Sequence, residues 1–217
     1  APYLTRAPFF YQYRIFSKQG LMELCSRGIQ EQTLICQDVL FAESKVAEKM
    51  YFTVSGYMSY DHRHAHCRHF LGKGSWAAEP VLWVQWRHAA TMTADSSCEV
   101  LALDSAKFRA LMEHFRESLG FVRAYAQAFH EHLQKVGIGS QTDVMTDTSK
   151  FESLTERAAS QVVFCNAQGS TTTPPELRPR NKNRFSGFWD PSTWSPQPTT
   201  SRRSSLVSIW QRASMWS

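Results

Sequence analysis

Glu79 and Arg87, one acid and one base, fall in a short stretch containing Trp and Pro that interrupts a long train of β-type runs. An antiparallel β-domain that breaks its strand rhythm for a short, partly helical excursion usually does so to build a site, since segments held on a rigid scaffold carry function. No Ser-His-Asp or paired-carboxylate arrangement is legible from spacing, so nucleophilic and acid–base catalysis have no specific support and the chain reads as a non-enzyme.

The elements that must position this pair are read from residue type and alternation. In Met50-Tyr51-Phe52-Thr53-Val54-Ser55, β-branched and aromatic residues dominate, and Gly56 follows where the chain must turn. Turn signals recur about every 8–12 residues, at Gln37-Asp38, Ala47-Glu48 and Ser96-Ser97, which predicts a roll of about seven or eight antiparallel strands. A helix is expected over 16–27, with Phe16, Leu21, Leu24 and Cys25 near helical spacing and Gly28 as its stop. After the strands, Asp104 can cap a helix whose stripe is Phe108, Leu111, Met112 and Phe115. A second stripe runs through Leu119, Val122, Ala126, Phe129 and Leu133 to Gly137-Ile138-Gly139, with Gly120 as the weak point between the two. The expected fold class is α+β: an antiparallel, jelly-roll-like β-roll with a short internal cassette helix, one N-terminal helix and two C-terminal helices.

In that order of elements the chain resembles the cyclic nucleotide-binding domain family of the catabolite activator, the protein kinase A regulatory subunit and cyclic-nucleotide-regulated channels. The resemblance covers roughly 8–136 and rests on Gln37-Asp38-Val39-Leu40-Phe41, Met50-Tyr51-Phe52 with Val54-Ser55-Gly56, and Glu99-Val100-Leu101-Ala102-Leu103-Asp104 leading into Phe108. Pro8-Phe9-Phe10 looks like the end of the linker that joins channel pores to such domains. In the family, backbone N–H groups at the start of a short helix and one Arg hold the cyclic phosphate, and a Glu binds the ribose 2′-hydroxyl. Trp76-Ala77-Ala78-Glu79-Pro80-Val81-Leu82 is similar to the first half of that phosphate cassette and Trp86-Arg87-His88-Ala89 to the second. The resemblance therefore implies ligand-binding positions at Ala78, Glu79, Pro80, Val81, Arg87, His88 and Ala89, with cAMP or cGMP as the ligand and no cofactor. It also implies that the helix around Phe129 and Leu133 closes over the base, although a stripe at 3.6 spacing equally describes core.

The cassette departs from the family pattern in ways that leave two readings open, a live nucleotide site and an empty or self-occupied regulatory roll. Ala78 stands where the family has Gly, and its Cβ hinders both positive φ and close approach to a phosphate. Pro80 removes a backbone donor, as a first helical turn tolerates. Trp83 and Trp86 add bulk beside the presumed pocket.

One metal-enzyme alternative comes from Asp61-His62-Arg63-His64-Ala65-His66-Cys67-Arg68-His69. On a strand His62, His64 and His66 share one face, and imidazoles ligate zinc or iron. A cupin-like site also needs a carboxylate soon after the pair, and Cys-Arg-His-Phe-Leu-Gly supplies none; His88 is the only later third ligand. A solvated histidine-rich strand or hairpin, without metal, is the better reading.

Composition divides the chain. Residues 1–165 hold 17 Lys/Arg and 17 Asp/Glu, so the formal net charge of +5 sits in 166–217, which also carries six of the nine prolines. Such a Ser/Thr/Pro-rich segment cannot bury enough apolar surface to order itself. The expected organisation is a helical linker at 1–28, the nucleotide-binding-type roll with its C-terminal helices at 29–137, a linker with a short helix near 151–164 at 138–165, and a disordered basic tail at 166–217. Five scattered cysteines without a C-x-x-C pair suit a reducing compartment, and the folded part is neutral, which argues against nucleic-acid binding. The start at Ala-Pro-Tyr reads as a partial C-terminal region, with no membrane span of its own. The expected partners are an upstream channel pore and neighbouring subunits, on the cytoplasmic side of a membrane. In the tail, Leu206, Ile209, Trp210, Ala213 and Trp216 near one helical face could touch a membrane surface. Arg202-Arg203-Ser204-Ser205-Leu206 is similar to a basophilic kinase site, making Ser205 the acceptor. Incubation with protein kinase A should label the chain, and the label should vanish in Ser205→Ala; unchanged labelling would place the acceptor elsewhere.

Overall fold

The computed structural model describes residues 2–62, 67–136, 140–144 and 147–168, all within the unit Ala1–Lys182. His64, His66, Gly137-Ile138-Gly139 and Ser205 lie outside the described residues, as does everything from 169 onward. A 3-10 turn at Leu4–Arg6 leads into α1 (Pro8–Phe16) and α2 (Lys18–Glu23), and a π-helical turn at Leu24–Gly28 delivers the chain to the strands. Eight strands follow: β1 (Ile29–Leu34), β2 (Val39–Phe41), β3 (Lys49–Ser55), β4 (Met58–His62), β5 (Cys67–Leu71), β6 (Trp76–Ala77), β7 (Thr91–Ala94) and β8 (Cys98–Asp104). A 3-10 turn at Glu79–Leu82 sits between β6 and β7, and α3 (Ser105–His114), α4 (Leu119–Val136) and α5 (Thr148–Gln168) close the described fold.

The strands form two four-stranded sheets, in the orders β1-β8-β3-β6 and β2-β7-β4-β5, with antiparallel pairing throughout. Period-two alternation gives the first sheet two apolar faces. Met50 and Phe52 of β3 turn toward the helices, where Phe10 lies 5.9 Å from Phe52. Tyr51, between them, turns into the roll and stacks on Phe41 at 5.8 Å. The roll interior is filled by Leu40, Phe41, Met58, Tyr60, Met92 and Val100, among others, and also by Val144 from beyond α4. Gly56 turns at φ 85°, and a Cβ there would collide with the Ser97 carbonyl and Cys98, so only glycine fits this turn.

The helical side differs from the sequence expectation in three places. First, Pro8 opens a helix ahead of the one expected over 16–27: it takes the first helical position, where a missing N–H costs nothing, and α1 buries Phe9, Phe10 and Tyr13 completely. The helix expected over 16–27 then begins only at Lys18. Ser17 is extended, and its Oγ accepts the Gly20 N–H at 3.0 Å as an N-cap while donating to Glu117 at 2.7 Å. Second, the break between α3 and α4 falls at 115–118, ahead of Gly120, which lies inside α4 against Val162. Third, the short helix expected near 151–164 is longer, Thr148–Gln168, and packs on the fold. Phe151, Thr155 and Ala158 of α5 are buried on one face, Phe151 lies 5.7 Å from Phe129 of α4, and Arg157 pairs with Glu131 at 2.9 Å.

Phe9 is the hub of the helical core. Its ring lies 4.8 Å from Trp83 of the cassette, 4.9 Å from Tyr125 of α4 and 5.5 Å from Phe121, and it also meets Phe10, Tyr13 and Phe108. Fully burying one such side chain stabilises by about 1.5–3 kcal/mol, so this cluster fixes the cassette, α1 and α4 to one another.

Candidate functional site

The cassette is the stretch from β6 through the 3-10 turn to β7. Ala78 adopts the left-handed conformation, φ 62° and ψ 31°, that glycine would take without strain. Pro80 sits in the first turn of the 3-10 segment, where its carbonyl still accepts the Trp83 and Val84 N–H groups. Val81 is buried. The turn therefore forms in spite of the Cβ on Ala78, which absorbs a conformation that costs a non-glycine residue about 1–2 kcal/mol.

Residues 86–88 run beside 44–47 in strand-like fashion. Ala47 N–H bonds the Trp86 carbonyl at 2.9 Å, His88 N–H the Lys45 carbonyl at 3.0 Å, and Ser44 N–H the His88 carbonyl at 2.8 Å. Alternation along this segment turns Trp86 and His88 inward and Arg87 outward. Arg87 is exposed and donates to the Ser44 carbonyl at 2.9 Å. His88 is buried, its ring stacked on Phe41 at 3.8 Å.

What the inward groups hold is Asp143, whose side chain is wholly buried. Oδ1 accepts from Trp86 Nε1 at 2.7 Å and faces His88 Nδ1 at 2.8 Å. Oδ2 accepts from the Ala89 N–H at 2.7 Å and from the Tyr60 hydroxyl at 2.9 Å. A carboxylate only accepts, so His88 must carry its proton on Nδ1. The backbone is held too: Ala78 N–H donates to the Asp143 carbonyl at 2.7 Å, Asp143 N–H to the Tyr60 oxygen at 3.0 Å, and Val144 bridges Ala77 as a short antiparallel strand. Burial and the neighbouring Asp143 charge push the Tyr60 phenol up, so it stays a donor. Thus two cassette N–H groups, Ala78 and Ala89, are both spent on one residue of the chain itself.

Glu79 faces the opposite way, into the helical core, and is also wholly buried. Its Oε1 accepts from the Tyr125 hydroxyl of α4 at 2.9 Å and its Oε2 from Trp76 Nε1 at 3.0 Å. Burial drives its pKa up to about 7, with the bonds from Tyr125 and Trp76 pulling the other way. Burial also raises the Tyr125 phenol, as does the adjacent Glu79. Phe129 and Leu133 are buried in α4, Phe129 between Trp83 and Phe151. The structure thus brings Ala78, His88 and Ala89 together around Asp143, joins Glu79 to Tyr125, and leaves Arg87 apart.

Residues 31–115 match the family model described as "Cyclic nucleotide-binding domain". The chain carries a cyclic nucleotide-binding-type domain. Its two sheets and flanking helices have the β-roll form of that family. Solved structures similar to it include a cyclic nucleotide-binding-like protein from Brucella abortus, 22% identical, covering 48% of this chain and 97% of that one at a TM-score of 0.42. The N-terminal domain of a transcriptional regulator from Streptomyces coelicolor A3(2) is 21% identical, with 64% and 98% covered and a TM-score of 0.48. The C-linker and CNBHD of zELK channels is 20% identical, with 45% and 55% covered and a TM-score of 0.41. No curated protein matches the sequence. No helix among the described residues is long and apolar enough to cross a membrane, and the described residues hold no cluster of three or more metal-binding side chains.

Sequence reasoning missed Asp143, Trp86 and Tyr60 as site residues. Trp86 reads only as bulk beside the pocket, Tyr60 carries no signal, and Asp143 lies in a polar stretch with no local pattern; its place against the cassette in three dimensions is what reveals it. Removing one member of a buried charged cage typically costs about 3–5 kcal/mol, because the partners stay buried without an acceptor. Asp143→Ala should lose that much in urea unfolding, whereas exposed Arg87→Ala should stay within about 0.5 kcal/mol of the parent. Equal, small effects of both would dismiss the cage.

Proposed function

We propose that this is a non-enzymatic regulatory module, the cytoplasmic cyclic nucleotide-binding-type domain of a voltage-gated cation channel of the potassium-channel kind, governed by contact with its own chain in place of a bound nucleotide. The observation that carries this reading is Asp143, whose carboxylate takes the Ala89 N–H, Trp86 and His88 while its carbonyl takes the Ala78 N–H. Of these donors, Ala78, His88 and Ala89 stand at positions that the family resemblance assigns to the ligand. The two charged groups that the resemblance reserves for nucleotide are engaged elsewhere, Glu79 with Tyr125 and Arg87 with the Ser44 carbonyl. Both diversions favour self-contact over ligand.

In this reading α4 is the output element. Segment 140–144 comes next among the described residues, and the cassette holds that segment through Asp143 and α4 through Tyr125, so movement of α4 and occupancy of the pocket are coupled through one stretch of chain. The channel assignment rests on the sequence resemblance, with an upstream pore and neighbouring subunits as partners. A second reading is favoured by the way Val144 pairs with Ala77: a pocket that holds an extended peptide by backbone bonds and one carboxylate also suits a scaffold that binds a partner's segment without nucleotide.

Calorimetric titration of the full chain with cAMP and with cGMP tests the proposal. No heat is expected up to about millimolar ligand, where the association free energy is only about 4 kcal/mol. Binding at tens of micromolar that disappears in Arg87→Ala would show a live nucleotide site and overturn it.

A further inference from the structure

Among the described residues two carboxyls, Glu79 and Asp143, are buried completely, and their surroundings differ. Asp143 is met by four donors, one of them an imidazole. Glu79 is met by one phenol and one indole, and among the described residues no cation pairs with it. Trp83 adds a second indole N–H to the same region, buried and outside strict hydrogen-bond geometry yet close enough to Glu79 to favour its charged form. Arg109 of α3, which packs against the 3-10 turn, donates to the Val81 carbonyl at 3.2 Å and to Ser105, and Asp104 also acts on it. From α5, Thr155 supports the Tyr125 hydroxyl, and α1 presents only the Phe9 ring to Tyr125 and Trp83. An ionised carboxylate without a counter-charge in such a place is strongly disfavoured, and neutralisation by a proton relieves it.

Geometry makes that proton consequential. Glu79 is the polar link between the 3-10 turn of the cassette and the middle of α4, through Tyr125 at 2.9 Å. Protonated, the carboxyl can exchange hydrogen bonds with the phenol and still accept from Trp76 without burying charge. Ionised, it gains most from any displacement of α4 that lets water in. We propose that Glu79 and Tyr125 form a proton-operated latch between the cassette and α4, closed when the carboxyl is protonated and loosened when it ionises. The latch deepens the reading of α4 as the output element, yet it depends on neither nucleotide binding nor a channel.

The sign follows from linkage. The closed state holds the Glu79 pKa near 7, above its ordinary 4.5, so protons favour closure. The full effect is present below about pH 4.5 and is lost as pH rises through about 7. Between about pH 6 and about pH 8 the closed-to-open ratio should fall roughly tenfold.

The test follows the Trp76 indole N–H of the full chain by NMR over about pH 5.5 to 8.5, assigned by its loss in Trp76→Phe. We expect a shift with its midpoint near 7 that is absent in Glu79→Gln, the side chain that mimics the protonated acid. Amide exchange in α4, expressed relative to Glu79→Gln at each pH, should be about tenfold faster at pH 8 than at pH 6. Should Glu79→Gln not fold, Tyr125→Phe takes its place: the indole shift should persist while α4 exchange loses its extra pH dependence. A flat indole resonance, a titration that survives Glu79→Gln, or α4 exchange that keeps its extra pH dependence in Tyr125→Phe overturns the latch. Failure of the nucleotide-free reading would show in calorimetry and leave these results untouched.

Discussion

Everything at the cassette depends on one constraint, that a charge removed from water must be met by donors fixed in place. Asp143 satisfies it with a carboxylate saturated by Trp86, His88, Ala89 and Tyr60. Those donors come from separate parts of the roll, β4 and the stretch leading into β7, so the carboxylate holds together elements that no apolar contact alone would place so closely. Val144, one residue on, completes the roll interior as an apolar plug. The segment therefore serves the roll as core and the cassette as ligand.

The second buried acid turns the same constraint into coupling. Glu79 lies on the far side of the 3-10 turn, where Phe9, Trp83, Tyr125 and Phe129 form a continuous aromatic layer. A change in its charge is felt first by Tyr125, and α4 then carries it toward segment 140–144. The cassette is thus gripped from two sides by the same stretch of chain, through Asp143 on the roll side and Tyr125 on the helical side. Ala78, strained at φ 62°, sits between the two grips, and its N–H is what ties the turn to the Asp143 carbonyl. Strain tolerated at such a point suggests that the contact it permits outweighs its cost.

The roll itself was legible in the residues because strand pairing follows alternation, which is local. Met50-Tyr51-Phe52 told its two faces, Gly56 its turn, and Asp104 capped α3 through the Lys107 N–H as expected. The cassette turn was legible as well, since Pro80 and Ala78 act on their own backbone. Less visible was where side chains point when a short segment has no regular partner: Arg87 looks like an anion binder until 44–47 is seen to pair beside it and turn it outward. The length of the helical layer also escaped local reading. Ser17 restarts the helix because Glu117, a hundred residues away, fixes its hydroxyl, and α5 is ordered by burial of Phe151 and Ala158 against partners that its own polar sequence does not announce.

The central claim is that the cassette's amides are occupied by the chain itself. Backbone NMR of the full chain reads them directly, at Ala78 and Ala89, with and without saturating cAMP. The account predicts two slowly exchanging, downfield amides that do not move when nucleotide is added and that lose their protection in Asp143→Ala. Amides that exchange freely in the parent, or that shift and saturate with cAMP, would contradict it.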